Sequence, residues 1–254
     1  MLAMRKILVS GRPASDRPSP DMPRWCLLVA ALSILVWGSP LVAASDVVPY
    51  DPALPVKSLC QVPIERLRPT QFAVGYREVD ERAKEIAQKS PKKLKAYVEE
   101  HLPLIVIGPG GQPYLIDGHH LSRALLKSGV ATTVEARVEA NWRELSQPEF
   151  WNKMKEHGWV YLYDNLGQGP QDVEKLPKTV TELTDDPYRA LAWAVRKRGG
   201  LDKTHGSFDE FKWANFFRSR VPIGSQPGDY DRAVKAALQI SHSPEAKDLP
   251  GYER

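Results

Sequence analysis

The chain has 254 residues, with 35 basic and 31 acidic side chains and a formal net charge of +4. Five of the basic and two of the acidic residues lie within the first 44 residues, so 30 and 29 remain beyond them and the net charge there is +1. This balance excludes a strongly basic domain, so any contact with nucleic acid must come from a local patch. Only Cys60 lies beyond residue 44, which excludes an internal disulfide there, and the apolar content is sufficient for one hydrophobic core.

The first 44 residues have the order of a secretory signal peptide. Basic residues precede an apolar run at 26–37, and small residues follow at 41–44. We therefore expect cleavage after Ala44, export to the periplasm or medium, and no stable membrane span after cleavage. A Gly-Ser-Pro sequence ends the apolar run well short of the ~20 residues that a membrane span needs. An uncleaved anchor is the competing interpretation, and translation from Met22 rather than Met1 is an alternative start.

The next segments alternate between extended and helical patterns. Residues 45–57 are rich in proline and predict a linker, and residues 61–67 predict a first strand. Pro69 then ends that strand, because it lacks a backbone donor and disfavours helix in the residue before it. The turn at this point would project Arg68, Thr70 and Gln71 outward.

Two helices and a hairpin are predicted after this turn. Helical patterns cover residues 77–89 and 91–102, the second with Ser90 as N-cap. Apolar strands at 104–108 and 113–117 flank a Pro-Gly-Gly-Gln sequence that is typical of a hairpin. A strand is expected again at 132–138, after a short amphipathic helix.

The start of that short helix holds the most informative residues of the chain. Asp117 and Gly118 end the strand, His119 and His120 open the helix, and Gly129 should end it. The first turn of a helix presents unpaired N–H groups and partial positive charge, so it attracts anions. Arg123 follows His119 by four residues and His120 by three, so these side chains could converge on one phosphate or carboxylate.

Two other interpretations of these residues remain open. Asp117 could be a plain turn residue, with the histidines merely solvated. Metal ligation is the second alternative, although adjacent histidines on a helix point roughly 100° apart and suit one ion poorly.

Beyond Asn141 the pattern is helical. Capping boxes are predicted at residues 146–149 and 207–210, and Asp185 or Asp186 should cap a helix at 187–198. The aromatic residues here recur at helical spacing, which favours core positions over base-stacking platforms. Arg189 and the basic residues 196–198 form a local basic cluster, whereas the basic run at 91–95 is typical of a solvated helix start.

The segment from Asp117 to Ala124 resembles the helix start of the ParB/sulfiredoxin superfamily, most closely its branch of ParB-like nucleases. Residues 67–71, 74–76, 149–151, 186–189 and 213–214 are similar to that branch as well. The resemblance covers roughly residues 58–220. It implies the superfamily's fold, and it implies that Arg68, Thr70 and Gln71 form a second wall beside the His-His helix start.

Two departures from the superfamily restrict the activities that the resemblance implies. ParB proteins that hydrolyse CTP carry Gly-Glu-Arg-Arg at this turn, whereas this chain carries His119, His120 and Leu121 after the glycine. Sulfiredoxins carry a catalytic cysteine directly after the glycine, where His119 stands. CTP hydrolysis of the ParB type and sulfinic acid reduction are therefore not expected.

The sequence predicts an α/β (α+β) fold, with a mixed-sheet ParB/sulfiredoxin-like domain at 58–142 and a helical region at 143–254 packed on it. The predicted function is that of an exported nuclease or phosphodiesterase acting on nucleic acid or a phosphate ester. Asp117, His119 and His120 would be catalytic: one histidine would take a proton from the nucleophile, the other histidine or Arg123 would stabilise charge on phosphorus, and the Asp117 carboxylate would orient an imidazole. Arg68, Thr70, Gln71, Gly118 and Arg123 would bind substrate. The alternative is a non-catalytic envelope module that binds an anionic ligand or a protein partner. The sequence leaves a requirement for a divalent metal, and the identity of any protein partner, open.

Overall fold

The structure is a computed structural model, and it describes residues 47–204 and 206–253. The predicted signal peptide at 1–44 and the expected mature N-terminus at Ser45 lie outside these residues. In the part of the chain that is described, no helix is both long and apolar enough to cross a bilayer.

Eight strands and seven α-helices make up the described chain. The strands are β1 (Val48–Pro49), β2 (Leu59–Pro63), β3 (Arg68–Pro69), β4 (Ala73–Val74), β5 (Leu104–Gly108), β6 (Gln112–Asp117), β7 (Thr133–Asn141) and β8 (Thr184–Asp185). The helices are α1 (Tyr76–Ala87), α2 (Pro91–Glu100), α3 (His119–Ser128), α4 (Gln147–Glu156), α5 (Pro187–Lys197), α6 (Asp209–Arg218) and α7 (Asp229–Ser241).

Six of the strands form one mixed sheet in the order β1-β2-β7-β5-β6-β3. The pairs β2–β7 and β5–β6 are antiparallel, whereas β1–β2, β5–β7 and β3–β6 are parallel. The remaining strands, β4 and β8, pair with each other in parallel. This mixed sheet with its helices confirms the predicted fold class.

Both faces of the sheet are covered by apolar side chains. Ile105 and Ile107 of β5 lie in the main core, with Leu121 and Leu125 of α3. Val106, between them in sequence, faces the opposite side, where it packs with residues of α4. Successive side chains of a strand point to opposite faces, so a run of apolar residues such as β5 is expected where both faces are buried.

The last three helices share a separate apolar cluster. Trp213 and Phe217 of α6 are fully buried against residues of α5 and α7. The prediction that these aromatic residues are core residues is confirmed. Helix α7 was not predicted from the sequence.

Most of the predicted elements are confirmed, because their signals are local. The hairpin β5–β6 and helix α1 lie where the sequence placed them. Gly129 ends α3 in the left-handed conformation with φ 70°. Ser146 and Glu149 form the predicted capping box, and Asp186 caps α5 by accepting the N–H groups of Tyr188 and Arg189.

Three segments differ from the predictions. Residues 47–57, expected to be a linker, lie against the sheet: β1 pairs with β2, and Asn141 Nδ2 donates to the carbonyls of Pro52 and Leu54. The first long strand, β2, ends at Pro63, because Ile64–Arg66 form a 3₁₀ turn.

The start of α6 is the third difference. Its N-cap is Phe208 with φ 62°, and no capping box forms from Ser207 and Glu210. The reason is that the Glu210 carboxylate binds Arg189 and Arg196 instead of the backbone at the helix start.

Candidate functional site

The turn between β6 and α3 has a conformation that requires glycine. Gly118 has φ 92°, and a Cβ at this position would lie 2.9 Å from Cβ of Pro103. The carboxylate Oδ1 of Asp117 accepts the Gly118 N–H at 2.7 Å. This sharp turn makes His119 and His120 the first two residues of α3, as predicted.

His119 connects α3 to the neighbouring strand β3. The Thr70 N–H donates to His119 Nε2 at 3.2 Å, and His119 is only 4% exposed. Burial lowers the pKa of His119 to about 3, against a smaller opposing effect of the Leu115 carbonyl. The imidazole is therefore neutral near pH 7, and its unprotonated nitrogen already accepts a backbone N–H.

His120 has the same relation to the start of α1. The Gly75 N–H donates to His120 Nε2 at 3.0 Å, so the ring proton belongs on Nδ1. Glu78 Oε2 lies 3.4 Å from the same Nε2, but an unprotonated nitrogen cannot donate to it. Burial holds the pKa of His120 well below its ordinary value, and the nearby guanidinium groups of Arg189 and Arg82 lower it further.

The lowered pKa values of these two imidazoles predict how the stability of the protein depends on pH. An imidazole in the unfolded chain titrates near 6.5. Both folded-state pKa values lie lower, so below pH 6.5 the unfolded state binds more protons than the folded state. The contribution of the two rings to the free energy of unfolding is therefore fully present above about pH 6.5. It decreases as the pH falls below that value, by up to about 1.4 kcal/mol per pH unit for each ring.

Urea unfolding between pH 7 and pH 4.5 measures this slope. We expect His119→Asn to reduce this slope by the contribution of up to one proton, about 1.4 kcal/mol per pH unit. His157→Asn, at an exposed histidine, should leave the slope unchanged. An equal slope in His119→Asn and in the parent protein would contradict the assignment.

A network of buried and half-buried charges lies beside the two histidines. Glu78 is 2% exposed and binds Arg82 through Oε1 (2.9 Å) and Arg189 through Oε2 (3.0 Å). Arg189 also binds Glu210, which binds Arg196 as well. We call these five residues the charge network. It joins α1, α5 and α6, and it contains three guanidinium groups against two carboxylates.

Sequence reasoning identified only part of the charge network. Arg189 and Arg196 belong to the basic cluster noted in the sequence, and Glu78 and Arg82 have the i, i+4 spacing of an ion pair on one helix. Glu210 was assigned to a capping box. No local signal connects these residues, because Glu78 and Arg189 are 111 positions apart.

The charge network and the start of α3 line the same cleft, whose volume is about 490 Å³. Of the predicted site residues, Gln71, Asp117, Gly118, His119 and His120 line this cleft. The expectation that the Pro69 turn projects Thr70 and Gln71 outward is wrong. Thr70 is fully buried and holds His119 through its N–H group, and Gln71 is buried with its Nε2 donating to the Ala73 carbonyl at 2.6 Å. The start of α6, with Ser207 and Phe208, also borders the cleft.

Arg123 and Arg68 do not line this cleft, which corrects the expected convergence of Arg123 with the histidines. Arg123 Nη1 donates to the carbonyl of Val180 at 2.8 Å, and its guanidinium lies over the ring of Tyr76. Arg68 Nη1 donates to the carbonyl of Lys178 at 3.3 Å. Both side chains thus bind backbone carbonyls of the segment at 178–180.

Asp117 also differs from its expected role. We expected its carboxylate to orient an imidazole, but it accepts the N–H of Gly118, and both histidines accept backbone N–H groups from other segments. Its side chain is exposed at the mouth of the cleft. Over residues 47–204 and 206–253, no group of three His, Cys, Asp or Glu side chains is arranged to hold a metal ion.

Comparison with known proteins gives a family and several solved structures of similar sequence and fold. Residues 60–219 match the family described as "Putative ParB-like nuclease". The chain is 36% identical to a protein whose structure is titled "Crystal structure of protein Atu1540 from Agrobacterium tumefaciens". The similarity covers 77% of this chain and 97% of that one, with a TM-score of 0.69. No curated protein matches the sequence.

Proposed function

Because the chain belongs to the family of ParB-like nucleases, we propose that it is an exported nuclease or phosphodiesterase whose substrate phosphate binds in the cleft at the start of α3. Export is the part of this proposal that rests on the sequence of residues 1–44 alone. Intact-mass analysis of the protein recovered from its host should give Ser45 as the first residue.

The observation that carries the proposal is the start of α3, which lines this cleft beside the charge network. The backbone N–H groups in the first turn of α3 are available to an anion, and the helix dipole adds partial positive charge there. The charge network contributes three guanidinium groups and two carboxylates. Because the whole lining of the cleft holds four basic and six acidic side chains, an anionic phosphodiester would be attracted by the α3 start and the adjacent guanidinium groups rather than by the net charge of the cleft.

The residues at the turn divide the chemistry between them. A water molecule attacks phosphorus and the exposed carboxylate of Asp117 takes its proton, while the bond to the leaving oxygen breaks and that oxygen takes a proton from the solvent. His120 can donate its Nδ1–H to a phosphoryl oxygen, since its Nε2 accepts from Gly75. His119, with Nε2 bound to Thr70, positions the helix start and does not transfer protons.

A second function is favoured by the state of the two histidines. Both rings are neutral and both Nε2 atoms are occupied by backbone donors, which is what a rigid anion-binding module needs. Such a module would bind phosphate esters without hydrolysing them.

An activity screen separates the two functions. The purified protein is incubated with single-stranded DNA, duplex DNA, RNA and bis(p-nitrophenyl) phosphate, with and without Mg²⁺ or Mn²⁺ and with a chelator. Hydrolysis of any of these supports the enzyme. Saturable binding of the same molecules without hydrolysis supports the binding module, and absence of both overturns the proposed site.

A further inference from the structure

One tryptophan packs against an apolar cluster and also lines the cleft. Trp159 is partly exposed and lines the cleft that contains the α3 start. Trp213 provides a contrast, because its ring is fully buried and its Nε1–H donates to the Pro250 carbonyl at 2.7 Å. The sequence patterns did not distinguish these two residues.

The backbone fixes Trp159 close to the predicted phosphate position. The Trp159 N–H donates to the Met154 carbonyl at 2.8 Å, and the Tyr161 N–H donates to the Thr70 carbonyl at 2.9 Å. The N–H of Thr70 in turn donates to His119. Trp159 is thus two residues from Tyr161, which is hydrogen-bonded to Thr70, and Thr70 holds the start of α3 through His119.

Neighbouring side chains hold the Trp159 ring in place. It stacks on Trp142, with centroids 5.4 Å apart and planes at 21°, and its centroid lies 4.7 Å from that of His157. Lys153 Nζ lies 5.2 Å from the Trp142 ring, so a cation accompanies this aromatic stack. A ring restrained in this way loses little conformational freedom when another flat group stacks on it.

We infer that Trp159 stacks an unpaired base of the substrate, so that the cleft is specific for single-stranded nucleic acid. This inference rests on the proposed function, which places the phosphate at the α3 start. A duplex covers the faces of its bases by base stacking, whereas a single strand can offer one to an aromatic side chain. The cleft volume of about 490 Å³ lies within the usual range of about 300–1,000 Å³ for small-ligand sites.

The test compares two single-stranded probes of equal length, oligothymidylate and an abasic oligomer with the same phosphates but no bases. Kd is measured for the full protein and for Trp159→Leu, which removes the aromatic face. Trp151→Leu is the matched control, since Trp151 belongs to the same apolar cluster but does not line the cleft. Trp159→Phe retains a smaller aromatic face and should preserve most of the preference.

We expect Trp159→Leu to bind oligothymidylate about 10-fold more weakly, the usual effect of losing one stacked base. Its affinity for the abasic oligomer should not change, and Trp151→Leu should match the parent on both probes. If Trp159→Leu loses affinity for both probes equally, or for neither, base stacking at Trp159 is wrong while phosphate binding stands. If the parent protein binds neither probe, the proposed function fails with it.

Discussion

Replacing Asp117 with asparagine is expected to lower the turnover of a phosphodiester substrate about 10²–10⁴-fold, the usual contribution of a general base. Asparagine has nearly the same shape and retains an oxygen that can accept the Gly118 N–H, so the turn before α3 should be preserved. The amide cannot take a proton from the attacking water. Initial rates at saturating substrate measure the effect.

Asp51→Asn is the matched control for this change. Asp51 is also exposed and also accepts a nearby backbone N–H, that of Ala53 at 2.6 Å, but it does not line the cleft. Its substitution should leave turnover unaltered. Equal turnover in Asp117→Asn and the parent protein would remove Asp117 from the mechanism.

The second large effect is expected in the charge network. Arg189→Leu should lower the free energy of unfolding by about 3–5 kcal/mol, because it leaves Glu78 and Glu210 without a shared buried partner. Arg189 is 8% exposed and Glu78 is 2% exposed, so water cannot readily replace the lost contact. Equilibrium denaturation by urea measures the change.

An exposed ion pair supplies the comparison for this prediction. Lys95 and Glu99 lie one turn apart on α2, and both side chains are more than half exposed. Lys95→Ala should therefore change the free energy of unfolding by about 0.5 kcal/mol or less. A loss below about 1 kcal/mol for Arg189→Leu would mean that the network is not a stabilising unit.

The turn and helix signals in the sequence were sufficient to predict the frame of the site. Asp117 and Gly118 ended a strand, His119 began a helix, and Gly129 ended it, each because one or two residues determine the local backbone. The resemblance to the ParB-like nucleases also indicated that the Pro69 turn lies beside this helix. The bond from the Thr70 N–H to His119 now gives that proximity a physical basis.

The roles of the site residues depended on contacts that are remote in sequence. His120 faces Gly75, which is 45 positions away, and Arg123 binds Val180, which is 57 positions away. Spacing within the α3 helix put His119, His120 and Arg123 on neighbouring positions, but it contained no information on the segments packed against each face. For the same reason Glu210 was predicted to cap α6, although its carboxylate is bound by Arg189 and Arg196.

In the proposed function, an anionic phosphate binds at the first turn of α3. The most direct measurement is an NMR titration of the ¹⁵N-labelled protein with an oligothymidylate of four nucleotides, followed through the backbone amide resonances. We predict that the largest saturable shifts belong to the amides of His119, His120 and Leu121. If those amides do not respond while others distant from the cleft do, the phosphate binds elsewhere and the proposed site is wrong.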